Sequence, residues 1–173
     1  MSDFLEILKY TLPALIVFLT AYLLISKFLR NEQKIKRIDL LFKNQQFILP
    51  VRMQAYERLV LFLERISPES LIMRLNRQGM TSQELHSELL TSIRAEFEHN
   101  LSQQIYVSRE SWEVIKNARA NLVNIINTAA QNTEPGSSSM KLSQTILETI
   151  IENEKSPTDV AIDFIKKEIK DLF

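Results

Sequence analysis

Apolar positions follow two regimes along this chain. From Tyr10 to Ser26 the sequence reads YTLPALIVFLTAYLLIS, with no charged residue. At 1.5 Å per residue such a helix covers roughly 26 Å, a little less than a bilayer core of about 30 Å. Phe4, Leu5, Ile7 and Leu8 before it, with Phe28 and Leu29 after it, supply the missing length. Residues 1–30 therefore read as a transmembrane anchor, with Tyr10, Pro13, Ile16, Phe18, Tyr22 and Leu24 among its span residues. Tyr10 and Tyr22 suit the interfaces, and Lys9 and Lys27 can extend toward head groups. Asp3 and Glu6 have capping-box spacing, and Pro13 removes one backbone bond near the outer end. A core helix of a water-soluble fold is rarely apolar all round over this length. A cleaved signal peptide would need a basic start and a small-x-small site, and neither is present.

After Ser26 the period becomes helical, 3 to 4 residues between apolar positions, broken by recognisable punctuation. Residues 31–50 continue as a juxtamembrane helix that Pro50 ends or kinks. A helix over 51–66 carries apolar residues on more than one face (Tyr56, Leu59, Val60, Leu61, Phe62, Leu63, Ile66), which predicts a central, mostly buried element. Ser67-Pro68 opens a short helix to Arg77, and Gly79 stops it. Thr81 with Glu84 forms a capping box that starts a long helix to about Ile105. Its four-residue repeat (Leu85, Leu89, Ile93, Phe97, Leu101, Ile105) drifts around the axis, so its two ends should meet different neighbours. Ser108 caps a helix over 109–131 with a clean apolar arc containing Trp112, Ile115, Leu122 and Ile126. NTEPGSSS, 132–139, reads as a flexible linker. Helices over 140–154 and 157–172 form a C-terminal pair. The predicted fold is all-α: a transmembrane helix, a cytoplasmic helical bundle over 51–131, and a helical pair over 140–173.

Charge fixes the expected orientation. The 21 basic and 21 acidic residues cancel overall, which argues against a general nucleic-acid binder. Locally, residues 27–65 hold nine basic against four acidic side chains, whereas 132–173 is acidic. Lys27, Arg30, Lys34, Lys36 and Arg37 directly follow the apolar block, so the positive-inside rule places the N-terminus outside and the remainder in the cytoplasm. The same five cations are candidates for anionic lipid head groups. Two glycines and no cysteine exclude Rossmann and P-loop fingerprints, disulfides and thiolate chemistry.

Few residues suggest catalysis. Glu96 and His99 form one E-x-x-H pair, half of a di-iron signature, but Gln83 precedes His86 where a second glutamate would be needed. No nucleophile-elbow or S-x-x-K motif occurs, and Trp112 reads as a core anchor. No metal, cofactor or catalytic residue is therefore expected. On the last helix Val160, Phe164, Ile165, Ile169 and Leu172 lie on one apolar face, which must pack on the bundle or fill a partner's groove.

The segments LPALIVFLTAY, AYERLVLFLERISPESLIMRL, IRAEFEHNLSQQIYVS and AIDFIKKEIKDLF resemble a family of small, uncharacterised single-span membrane proteins of the Bacteroidota. The resemblance covers nearly the whole chain; it implies a bacterial inner-membrane setting and no known activity. A second similarity, to the b subunit of bacterial ATP synthase, is architectural, and the breaks at Pro50, Pro68 and Gly79 depart from a continuous stalk. The expected function is that of a non-enzymatic, membrane-anchored adaptor or accessory subunit with a protein partner and a lipid-facing anchor. An organiser of anionic membrane surface is the alternative, with a b-like stalk or an enzyme behind it.

Overall fold

The computed structural model describes the backbone of residues 2–171 except 135, and the side chains of residues 15–34, 36, 47–134 and 136–171. The described residues form six α-helices and one 3-10 turn: α1 Ser2–Arg65, α2 Pro68–Leu75, α3 Ser82–Asn100, the 3-10 turn Leu101–Ile105, α4 Arg109–Gln131, α5 Ser139–Glu152 and α6 Pro157–Asp171. No strand occurs among them. They divide into two compact units, Met1–Leu49 and Pro50–Phe173.

The first unit is the leading part of α1. The helix does not end at Pro50, the first of the two outcomes expected there: α1 stays helical through it to Arg65. A proline removes one N–H and costs a helix interior about 3 kcal/mol, which several flanking turns of good helix formers can absorb. The Asp3–Glu6 cap and the Pro13 and Tyr10 side chains lie outside the described residues.

The second unit has its own core. Ala55, Tyr56, Leu59, Phe62 and Leu63 form the buried stripe of α1, and Ile66, just past its end, is buried with them. Leu61 is 60% exposed and Val60 only partly buried, so this helix buries one face and is not enclosed all round as its composition suggested. From α3 come Leu85, Leu89 and Ile93, and from α4 Trp112, Ile115, Ala118, Leu122, Ile126 and Ala129. The drifting repeat of α3 is cut short: Leu101 and Ile105 fall on the 3-10 turn and are exposed. Helix α3 packs on α2, α4 and α5, and α4 also packs on α5 and α6.

Two corrections concern the C-terminal third. The Ser-rich segment is not a free linker, and α5–α6 are not a separate pair, since Leu142, Ile146, Ile150, Ala161, Ile162 and Ile165 join the same core. The polar residues of the segment are pinned to the α2–α3 turn. Ser82 N–H donates to the Ser137 carbonyl (2.8 Å), Ser139 N–H to the Met80 carbonyl (3.0 Å), and the Ser139 hydroxyl to Asn76 Oδ1 (2.7 Å). Thr133 is buried, its hydroxyl bonded to the Ala129 carbonyl at 2.7 Å. Gly79 and Gly136, with φ of 84° and 82°, supply the left-handed turns on the two sides of this seam.

Candidate functional site

The most developed polar site of the bundle is built around one carboxylate. Ser108 caps α4: its φ/ψ is extended, and its hydroxyl oxygen accepts the Ser111 N–H at 3.0 Å. That leaves the Ser108 O–H free to donate, and it points to Glu168 Oε2 on α6 (2.9 Å). The Ser111 hydroxyl donates to the same oxygen, and the Tyr56 hydroxyl from α1 donates to Glu168 Oε1. Tyr56 and Ser111 are fully buried. Arg52, one turn before Tyr56, donates from Nε to the Tyr106 carbonyl at 3.1 Å. Three helices are thus tied at one side chain, beside the N-terminus of α4, where negative charge is favoured.

The titration behaviour follows from this geometry. Burial pushes the Tyr56 phenol up, and its bond to the Glu168 charge pushes it further. For Glu168, burial favours the neutral acid, yet the hydroxyl bonds from Ser111, Tyr56 and Ser108 and the nearby Arg52 charge together outweigh it and hold the carboxyl below its usual range. A carboxylate saturated with donors is a poor proton acceptor, so the arrangement orders helices better than it performs acid–base chemistry. Because the folded value is depressed, the stabilisation is complete above the ordinary glutamate value of about 4.3 and fades as pH falls through the lower folded value. Glu168→Leu leaves two buried hydroxyls without an acceptor, at about 1–3 kcal/mol each, and should cost about 2–6 kcal/mol at pH 7. Thermal unfolding of the full-length protein at pH 7 and pH 3 should show the wild type losing part of its advantage over this variant at the lower pH. An equal gap at both values would remove the carboxylate from the account.

Next to this junction is a groove of about 450 Å³ lined by Ser108, Glu110, Phe164, Lys167, Glu168 and Asp171. It exposes the difference between the expected and observed faces of α6. Ile165 is fully buried, and Ile169 packs partly buried against the core, so neither is available to a partner. Val160 and Phe164, 51% and 37% exposed, lie on the flank of the buried stripe, on the side of Glu168. Leu172 lies outside the described residues. The single apolar face read from sequence is two faces: packing on α4 takes the inner one, and the outer one borders the groove.

Glu96 is committed elsewhere. Arg65 reaches its Oε1 through Nη2 at 2.6 Å and Nε at 2.9 Å, and Arg74 Nη1 lies 3.9 Å away. His99 is exposed, and His86 pairs with Asn127 at 2.9 Å. Among the described residues no three metal-ligating side chains converge. Trp112 is buried and stacks on Phe97, with ring centroids 5.6 Å apart.

The N-terminal part of α1 presents a different surface. Every large apolar side chain described between Leu15 and Leu29 is exposed, from 50% at Leu23 to 70% at Phe18. This group includes Ile16, Phe18, Tyr22 and Leu24, which the sequence pattern assigned to an expected span. The Thr20 hydroxyl is satisfied within the helix, on the Val17 carbonyl at 2.9 Å. Among the described residues no helix is long and apolar enough to cross a membrane; the side chains of Tyr10–Ala14, the first part of the apolar run, lie outside them. Lys27, Arg30, Lys34 and Lys36 are exposed, whereas the Arg37 side chain lies outside the described residues.

Glu168 and its donors had no prominence in the sequence. The only local signal is the spacing of Ser108 and Ser111 at a helix start, because their acceptor lies 60 and 57 residues away and Tyr56 is 112 residues from it. The profile of a family of unknown function, DUF7935, matches residues 2–172. No curated protein and no solved structure matches the chain.

Proposed function

Since the chain belongs to DUF7935, a family of unknown function, we propose its function from its own geometry: a membrane-anchored, non-enzymatic adaptor or accessory subunit. The N-terminal part of α1 is the anchor, in a bacterial inner membrane, and the bundle from Pro50 onward is the docking domain on the cytoplasmic side. The observation that carries this reading is the exposure of apolar side chains on every side of α1 between Leu15 and Leu29. Each such side chain costs about 1.5–3 kcal/mol in water relative to burial, and a helix already satisfies its backbone polar groups in lipid. The cations that follow it, Lys27 to Arg37, support the orientation by the positive-inside rule.

A role in binding rather than catalysis is supported by the Glu168 junction, whose carboxylate is spent on holding α1, α4 and α6 together. The bundle's docking surface is then the Val160–Phe164 flank with its adjoining groove, since these apolar side chains remain exposed on a helix otherwise anchored by its inner face. The test is purification of the full-length protein from native membranes in mild detergent, with quantitative mass spectrometry, beside the variant Val160→Glu/Phe164→Glu. A stoichiometric partner that the variant loses is the expected result. Recovery of the bait alone, or equal recovery of the partner with the variant, would overturn the adaptor reading or its docking surface respectively.

A further inference from the structure

We propose that one face of α1, carrying Lys27, Arg30 and Lys34, clamps the phosphate of an anionic phospholipid whose acyl chains lie along Leu24 and Phe28. The inference rests on the anchored reading above and adds a ligand and a side of the helix to it. The spacing is the first argument. Positions 24, 27, 28, 31 and 34 recur at three- and four-residue intervals, and Arg30 is one turn from both Lys27 and Lys34, so all six share one side of the helix. They line a continuous groove of about 560 Å³ made of Leu24, Lys27, Phe28, Arg30, Asn31 and Lys34.

The order along the axis matches a lipid. Leu24 stands at the apolar end of the groove, Lys27 and Phe28 lie together in its middle, and Arg30, Asn31 and Lys34 stand at its polar end, with Asn31 as an additional donor. A phosphodiester with two acyl chains has the same order of charge and hydrocarbon. Arginine supplies a forked, fixed donor set, and the lysines supply mobile point charges on either side of it.

The opposite side of the helix provides the internal contrast. Lys36 lies about half a turn round from Lys27 and is held by Glu32 at 3.1 Å as an i, i+4 pair. That pair offsets its charge. Of the four described cations that follow the uncharged run, Lys27, Arg30 and Lys34 thus share one side of the helix, and that is the side the lipid occupies.

The test uses the full-length protein in detergent, with native mass spectrometry counting bound phosphatidylglycerol against phosphatidylcholine. The wild type should retain phosphatidylglycerol preferentially, and Lys27→Gln/Arg30→Gln/Lys34→Gln should weaken that retention about a hundredfold. Lys36→Gln should leave it unchanged. Equal retention of the two lipids by the wild type, or equal loss in Lys36→Gln, would overturn the clamp. Inorganic phosphate at millimolar concentration should not displace phosphatidylglycerol; displacement would show an anion site without a lipid requirement. Alkaline carbonate washing of native membranes tests the anchor separately. A protein that washes off refutes the anchored reading, and one that stays while showing no lipid preference refutes the clamp alone.

Discussion

Replacing Phe18 and Leu19 together by arginine should release the protein from membranes into the supernatant of an alkaline carbonate wash. Both side chains are exposed, at 70% and 52%, and both lie near the middle of the uncharged run from Tyr10 to Ser26. An arginine at the centre of a spanning helix costs about 2.5–3.5 kcal/mol, and each replaced apolar residue also loses its own favourable contribution of about 0.3–0.6 kcal/mol. Two substitutions therefore total about 6–8 kcal/mol, beyond what extension toward the head groups can recover from mid-helix. Phe18→Leu keeps the hydropathy and should remain in the pellet. A doubly substituted protein still in the pellet after the wash would show that this segment is not what holds the chain to the membrane.

Phe62→Ala should destabilise the bundle by about 3–5 kcal/mol. Phe62 is 1% exposed and joins three elements through aromatic contacts. Its ring meets Phe97 of α3 at 6.0 Å, tilted by 56°, and Phe97 stacks on Trp112 of α4 at 5.6 Å. The Arg119 guanidinium lies 4.2 Å from the centre of the Phe97 ring, a cation–π contact. Removing the first ring leaves a cavity against Phe97 that a rigid row of aromatics cannot collapse to fill. Domains of this size hold about 5–15 kcal/mol in all, so the variant should unfold at a much lower denaturant concentration. Leu61→Ala, one residue away but 60% exposed, should stay within about 0.5 kcal/mol of wild type. The single tryptophan, Trp112, sits at the far end of the row and reports both transitions by its fluorescence. Equal shifts for the two variants would refute the one-sided burial of α1.

The sequence carried the helix starts well. Ser67, Thr81 and Ser108 all accept the backbone bonds expected of caps, and Thr81 with Glu84 forms the reciprocal box. Caps are local, involving a side chain and a backbone group three residues on, so spacing alone encodes them. The misreadings share the opposite property. The segment 132–139 has a linker's composition, and only its pairing with the α2–α3 turn, more than fifty residues earlier, makes it a seam. Pro50 is a breaker by local rule, and the helix continues through it. On α6 the apolar arc is wider than the contact that covers it, so periodicity could not separate Ile165, which is buried, from Phe164, which borders the groove. Glu168 was least legible: beside lysines on an amphipathic helix it looks like a solvated charge until Tyr56, Ser108 and Ser111 converge on it.

The length of chain between Tyr56 and Glu168 also sets an order of events. Their bond closes a separation of 112 residues, and at a synthesis rate of about 5–20 residues per second the tyrosine precedes its acceptor by about 6–22 s. Throughout that interval the core stripe of α1 has no sixth helix to lock against, while the apolar run from Tyr10 to Ser26 is already complete. Closure of the bundle therefore waits for α6, long after the uncharged run and the core stripe of α1 have been made.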